Sequence, residues 1–157
     1  MSQRSITHAS FVIEREYAAS PARTFAAWAD PSVKTRWFGD PDGSGASEYH
    51  LDFAVGGRET SRAPLADGST YSYNALYQDI VPNERIVYTY DMHLGDDRIS
   101  VSLATIEFRP EGTGTRLVLT EYGAFLDGHD KPADREQGTG DLLNALGAEL
   151  DRQAAQG

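Results

Sequence analysis

The chain has no cysteine, and this absence excludes disulfide bonds, thiolate metal sites and a cysteine nucleophile. Basic residues are also few: 14 Lys and Arg stand against 24 Asp and Glu, and the net charge of −10 disfavours binding to nucleic-acid phosphates or anionic lipids. No apolar run approaches the roughly 18 residues of a membrane span, and the first residues show no signal-peptide pattern. We therefore predict a soluble cytoplasmic protein that neither binds nucleic acid nor inserts into a membrane.

Motifs for common catalytic and metal-binding sites are equally scarce. The four histidines show none of the short spacings of metal ligands: His8, His50, His93 and His129. There is no Gly-x-Ser-x-Gly elbow, P-loop or dinucleotide-binding fingerprint. A calcium-loop pattern that begins at Asp40 lacks its final acidic ligand, because the twelfth position is Leu51. We expect no metal and no cofactor, and a solvated loop from Pro41 to Ser47.

Local signals predict an α+β arrangement. A strand from Ala9 to Tyr17 precedes two short helices over about Pro21 to Trp37, and each helix starts with a polar cap directly before a proline. Turn residues divide the segment 47–123 into six strands, and consecutive hairpins imply an antiparallel sheet. After Pro132, leucines at four-residue spacing predict an amphipathic helix to about Gln153.

Several of these positions carry motifs of a known family. They are Ser20, Pro21, Phe25, Trp28, Pro31, Trp37, Phe38 and Gly39, followed by Val55-Gly56-Gly57-Arg58, the Pro82-Asn83 turn and the segment GTGTRLVLTEYGAF. In this order they resemble the activator-of-heat-shock-protein-ATPase-like proteins of the START, polyketide-cyclase and birch-pollen-allergen (SRPBCC) superfamily. The resemblance implies the helix-grip fold, in which a curved seven-stranded antiparallel sheet wraps around a long C-terminal helix. We expect one such domain over residues 1–157, with an ordered core from about 8 to 153.

The start of the last helix departs from the family pattern. The family commonly carries Gly-Trp there, and its indole fills or shapes the gap between sheet and helix, whereas this chain has Gly138-Thr139-Gly140. The loss of the indole leaves two alternatives. Aromatic side chains of the sheet fill the gap, or a larger ligand cavity opens at this end.

Residues predicted to line such a cavity come from the aromatic pair, the tyrosine-rich strands and the last helix. They are Trp37, Phe38, Tyr71, Tyr73, Tyr77, Tyr88, Tyr90, Met92, Glu121, Phe125, Thr139 and Leu143. The tyrosines share one strand face, which also suits ordinary core packing. Glu121 follows Leu117 and Leu119 on one face, so it either enters the interior as the main polar group or reaches water at the end of the sheet.

The resemblance implies three possible roles. We favour a binding protein that holds a small apolar or amphipathic molecule between the sheet and the last helix. The first alternative is a cofactor-independent enzyme of the cyclase or dehydratase type, in which Glu121 and His93 would act on the substrate. The second is an interaction with a chaperone ATPase. The pattern leaves open whether the protein is a monomer or a homodimer.

Overall fold

The computed structural model describes residues 4–39 and 48–156. Its strands are β1 (Ile6–Tyr17), β2 (Glu48–Leu51), β3 (Arg58–Pro64), β4 (Thr70–Val81), β5 (Arg85–Leu94), β6 (Asp97–Glu111) and β7 (Gly114–Leu126). The helices are α1 (Pro21–Ala29), α2 (Pro31–Lys34) and α3 (Pro132–Gln156), and a π-helical turn, Thr35–Gly39, follows α2. The calcium-like segment 40–47 lies outside the described residues.

All strands of the described chain form one antiparallel sheet in the order β1-β7-β6-β5-β4-β3-β2. The sequential hairpins arise from the predicted turns, and Asn83 takes a φ of 66°, the left-handed conformation that asparagine tolerates in tight turns. The first strand pairs with the last, so the polypeptide returns to its start before entering α3. The predicted α+β class and the seven-stranded sheet are confirmed.

The two helix starts have the predicted caps. The Ser20 side chain accepts a hydrogen bond from the backbone of Arg23, and the Asp30 side chain accepts one from the backbone of Ser32. The second helix is shorter than expected and ends at Lys34, because a π-helical turn replaces its last turn. This turn carries Trp37, which is 2% exposed, toward the sheet.

The leucine ridge of α3 closes the core. Leu143, Leu146 and Leu150 are each at most 2% exposed. Burying such a side chain contributes about 1.5–3 kcal/mol, so the ridge alone attaches α3 firmly to the sheet. No helix in the described ranges is long and apolar enough to cross a membrane.

Candidate functional site

A cavity of about 400 Å³ lies between the sheet and the first half of α3. This volume falls within the range of about 300–1,000 Å³ that is typical of small-molecule sites. The residues that line it are Trp28, Trp37, Phe38, Ser61, Ala63, Tyr71, Tyr73, Tyr88, Tyr90, Met92, Leu119, Glu121, Asp130, Asp134, Arg135, Gly138, Thr139, Leu142 and Leu143. Thr139 and Gly138 form part of the wall, so the small residues at the start of α3 leave space beside them.

A buried polar network stands at one side of the cavity. The Tyr90 hydroxyl donates to the Glu121 carboxylate at 2.7 Å and accepts from the Arg135 guanidinium at 3.1 Å. Arg135 also donates to the Ser100 hydroxyl at 2.7 Å and to the Asp130 carboxylate at 2.6 Å. The guanidinium lies 5.2 Å from the centre of the Phe125 ring, so apolar and polar contacts both fix its position.

Burial dominates the electrostatics of this network. Glu121 is 2% exposed, and desolvation raises the pKa of its carboxyl, although the Tyr90 hydroxyl and the Arg135 charge act in the opposite direction. Desolvation also raises the pKa of Tyr90, and the negative charge of Glu121 adds to this effect. Tyr90 therefore stays a neutral hydrogen-bond donor at neutral pH. For the Glu121 carboxyl, burial favours the protonated form.

Replacing Glu121 with glutamine is expected to flatten the dependence of stability on pH. Because the carboxyl pKa is raised above its ordinary value of 4.5, the folded protein keeps a proton that the unfolded chain releases, and wild-type stability falls as pH rises through this window. The stability of the variant does not fall in this window. Its free energy of unfolding therefore rises relative to that of the wild type by about 1.4 kcal/mol for each pH unit between the Glu121 pKa of the unfolded chain and that of the folded protein. Urea unfolding from pH 4 upward measures the difference, and parallel curves for the two proteins would contradict it.

A second buried ion pair lies behind the aromatic wall. The Lys34 ammonium is 2.7 Å from the Glu59 carboxylate, and their side chains are 2% and 1% exposed. Three tyrosine hydroxyls donate to the same carboxylate: Tyr77 at 3.1 Å, Tyr73 at 3.4 Å, and Tyr49. Desolvation lowers the pKa of Lys34, and the neighbouring Glu59 charge partly offsets this effect. The carboxylate is thus bonded on several sides.

Aromatic rings surround the lysine of this pair. The Lys34 nitrogen lies 4.6 Å from the ring centre of Phe38, 4.9 Å from that of Trp28 and 5.7 Å from that of Trp37. Phe38 and Trp37 also line the cavity. The ion pair therefore attaches the end of α2, directly before the π-helical turn, to β3 and holds this wall of the cavity in place.

Most side chains predicted for the site line the cavity. They are Trp37, Phe38, Tyr71, Tyr73, Tyr88, Tyr90, Met92, Glu121, Thr139 and Leu143. Tyr77 and Phe125 are buried but do not reach the cavity wall, because Tyr77 bonds to Glu59 and Phe125 packs under Arg135. His93 lies outside the cavity, since it follows the inward Met92 on β5 and faces Asp91 at 3.7 Å.

Five charged residues at the site were missed in the sequence: Lys34, Glu59, Asp130, Asp134 and Arg135. Arg135 precedes Thr139 by four residues and Leu142 by seven, so helical periodicity could have placed it on the inward face of α3. Lys34 precedes Trp37 by three residues and could have been assigned to the same face. Glu59 gave no such signal, because its strand is too polar for its alternation to indicate a buried face.

The comparisons with known proteins identify the family. The model of the family "Activator of Hsp90 ATPase homolog 1-like protein" matches residues 18–151. The chain belongs to this family. The matched segment begins just before α1 and ends within α3, so it contains all the residues that line the cavity. The resemblance inferred from the sequence motifs is confirmed.

Solved structures of bacterial proteins share the whole architecture. A protein from Rhizobium leguminosarum is 45% identical with a TM-score of 0.91, and the alignment covers 96% of this chain and 99% of that one. A protein from Rhizobium loti is 49% identical with a TM-score of 0.86, covering 92% and 99%. An AHSA1-like protein from Aeromonas hydrophila, 18% identical with a TM-score of 0.67 over 93% and 94% of the two chains, shares the fold. A search of curated proteins found no match.

Proposed function

We propose that this member of the family binds a small apolar or amphipathic molecule in the cavity between the sheet and α3. The observation that carries the proposal is a cavity of about 400 Å³ whose wall is mainly aromatic and aliphatic, with a few buried polar groups on one side. Apolar walls supply affinity through the hydrophobic effect, and a small number of fixed polar groups orient a ligand. The START-like fold of the family agrees with this role.

The first test is a ligand panel measured by thermal shift and native mass spectrometry. A molecule that binds only the folded state raises the melting temperature by an amount that grows with the logarithm of its concentration relative to its Kd. The panel contains fatty alcohols, fatty acids, aromatic ketones and polycyclic polyketides. A mass shift of one ligand per chain, together with a raised melting temperature, supports the proposal. No response to any apolar compound would count against it.

Substituting Thr139 with tryptophan is expected to abolish binding while preserving the fold. Thr139 is half-buried in the cavity wall, and an indole at this position extends into the space that a ligand would occupy. Ligand affinity should fall at least tenfold. Gln137→Trp is the matched control, because Gln137 is exposed on the same helix and does not line this cavity. Equal ligand affinities for the wild type and both variants, measured by calorimetry, would place binding elsewhere.

A second candidate role is cofactor-independent proton transfer, and the Glu121–Tyr90 contact is the observation that favours it. A buried carboxyl with a raised pKa, hydrogen-bonded to a phenol at 2.7 Å, has the properties of a general acid or base. The test is Glu121→Gln with a cyclisable polyketide substrate. Retained binding with loss of turnover supports this role, and full turnover removes Glu121 from it.

A coupled ATPase assay with Hsp90 tests the activity that the family name describes.

A further inference from the structure

The hydrogen-bonding groups of the cavity differ in how fully they are already used. Three of its tyrosine hydroxyls are engaged: Tyr71 donates to the Met92 sulfur at 3.4 Å, Tyr73 donates to Glu59 at 3.4 Å, and Tyr90 donates to Glu121 at 2.7 Å. These protons are not free for a ligand. A bound molecule must therefore form its hydrogen bonds with the remaining polar groups of the cavity.

Tyr88 is the exception among these tyrosines. Its side chain lines the cavity and is 9% exposed, yet within residues 4–39 and 48–156 its hydroxyl donates no hydrogen bond. Its ring is fixed between Tyr77 and Tyr90, with ring centres 5.9 and 6.0 Å away. The hydroxyl is not one of the fully buried polar atoms that lack a partner among the described residues, so a molecule in the cavity can reach it and accept its proton.

The charges of the cavity select against an acidic ligand. Its wall contains the carboxyl groups of Glu121, Asp130 and Asp134 and the guanidinium of Arg135. Arg135 already contacts Asp130 at 2.6 Å and Glu121 at 3.8 Å, so its charge is compensated. A ligand carboxylate would lose its hydration and meet like charges without gaining a cationic partner.

We propose that Tyr88 is the specificity-determining residue of this cavity, and that the ligand is an uncharged apolar molecule whose carbonyl or similar acceptor takes the Tyr88 proton. This inference rests on the proposed function and adds a ligand class to it. An aromatic ketone or ester fits these requirements. A free fatty acid or another carboxylate of equal size does not.

The test uses three 2-substituted naphthalenes of similar size: 2-ethylnaphthalene, 2-acetylnaphthalene and 2-naphthoate. Calorimetry measures their affinities for the wild type, for Tyr88→Phe and for the control Tyr122→Phe, because Tyr122 is 59% exposed on β7 and does not line this cavity. We expect the wild type to bind the ketone about fivefold more tightly than the hydrocarbon, as one net hydrogen bond gives, and to bind the acid most weakly.

Tyr88→Phe should lose the preference for the ketone and keep the affinity for the hydrocarbon, whereas Tyr122→Phe should keep both. If Tyr88→Phe still prefers the ketone to the hydrocarbon, or if the wild type binds the acid most tightly, Tyr88 is not the anchor of the ligand. In both cases, binding of the hydrocarbon would still support the proposed function. If none of the three probes binds the wild type but another compound of the ligand panel does, the assignment falls and the proposed function stands, whereas both fall if no apolar compound binds. These outcomes separate the failure of Tyr88 as the anchor from the failure of the cavity as a binding site.

Discussion

Replacing Glu59 with leucine is expected to lower the free energy of unfolding by about 3–5 kcal/mol, the usual cost of breaking a buried ion pair by removing one partner. Lys34, 2% exposed, would be left as a buried cation without its carboxylate at 2.7 Å. The hydroxyls of Tyr49, Tyr73 and Tyr77 would lose their acceptor at the same time. Urea unfolding at constant pH measures the change.

The double variant Lys34→Met, Glu59→Leu is the control for this prediction. It removes both charges, so it should be less destabilised than Glu59→Leu alone, and the difference measures the cost of the unpaired lysine. The deficit of the single variant should also shrink as pH rises, because Lys34 has a lowered pKa and the folded state releases its proton before the unfolded chain does. A single variant within about 1 kcal/mol of the wild type would show that the pair is dispensable.

Replacing Arg135 with methionine is expected to cost about 3–5 kcal/mol at pH 8 and clearly less at pH 5. The substitution leaves Glu121, 2% exposed, without the nearest positive charge, which lies 3.8 Å from its carboxylate. Glu121 can reduce this cost by taking up a proton, since burial already raises its pKa, and it does so more readily at pH 5. Asp130 is 20% exposed and can be rehydrated.

Adding Glu121→Gln to Arg135→Met separates the two contributions. The double variant lacks the Glu121 carboxylate, so its deficit relative to Glu121→Gln alone should be smaller at pH 8 than that of the single variant and should not depend on pH between 5 and 8. Chemical unfolding at the two pH values measures both quantities. A deficit that is equal at pH 5 and pH 8 in the single variant would mean that the cost comes from lost packing and not from Glu121.

The strand faces were predictable because alternation is a local property. Tyr88, Tyr90 and Met92 alternate along β5, and the structure places all three on the inward face. The same alternation puts His93 on the other face, which agrees with its absence from the cavity wall. The leucine ridge of α3 was equally readable from its helical period.

Long-range contacts between polar residues were not predictable from local patterns. The ion pair joins Lys34 on a short helix to Glu59 on a polar strand, and no periodicity links two such positions. Burial of Glu121 was left open for the same reason, because it depends on Arg135 of α3 covering the strand. Only the assembled sheet and helix decide which charged side chains become buried partners.

The cavity between the sheet and α3 is the central claim, and Met92 offers the most direct test of it. It is one of two methionines in the sequence, is 7% exposed and lines the cavity, so a methyl-labelled sample gives one reporter inside the site. On titration with 2-acetylnaphthalene, the Met92 methyl resonance should shift to saturation in the wild type and in Gln137→Trp, and should not respond in Thr139→Trp. Saturable binding that leaves the Met92 resonance unmoved, or no binding by any apolar probe, would contradict the account.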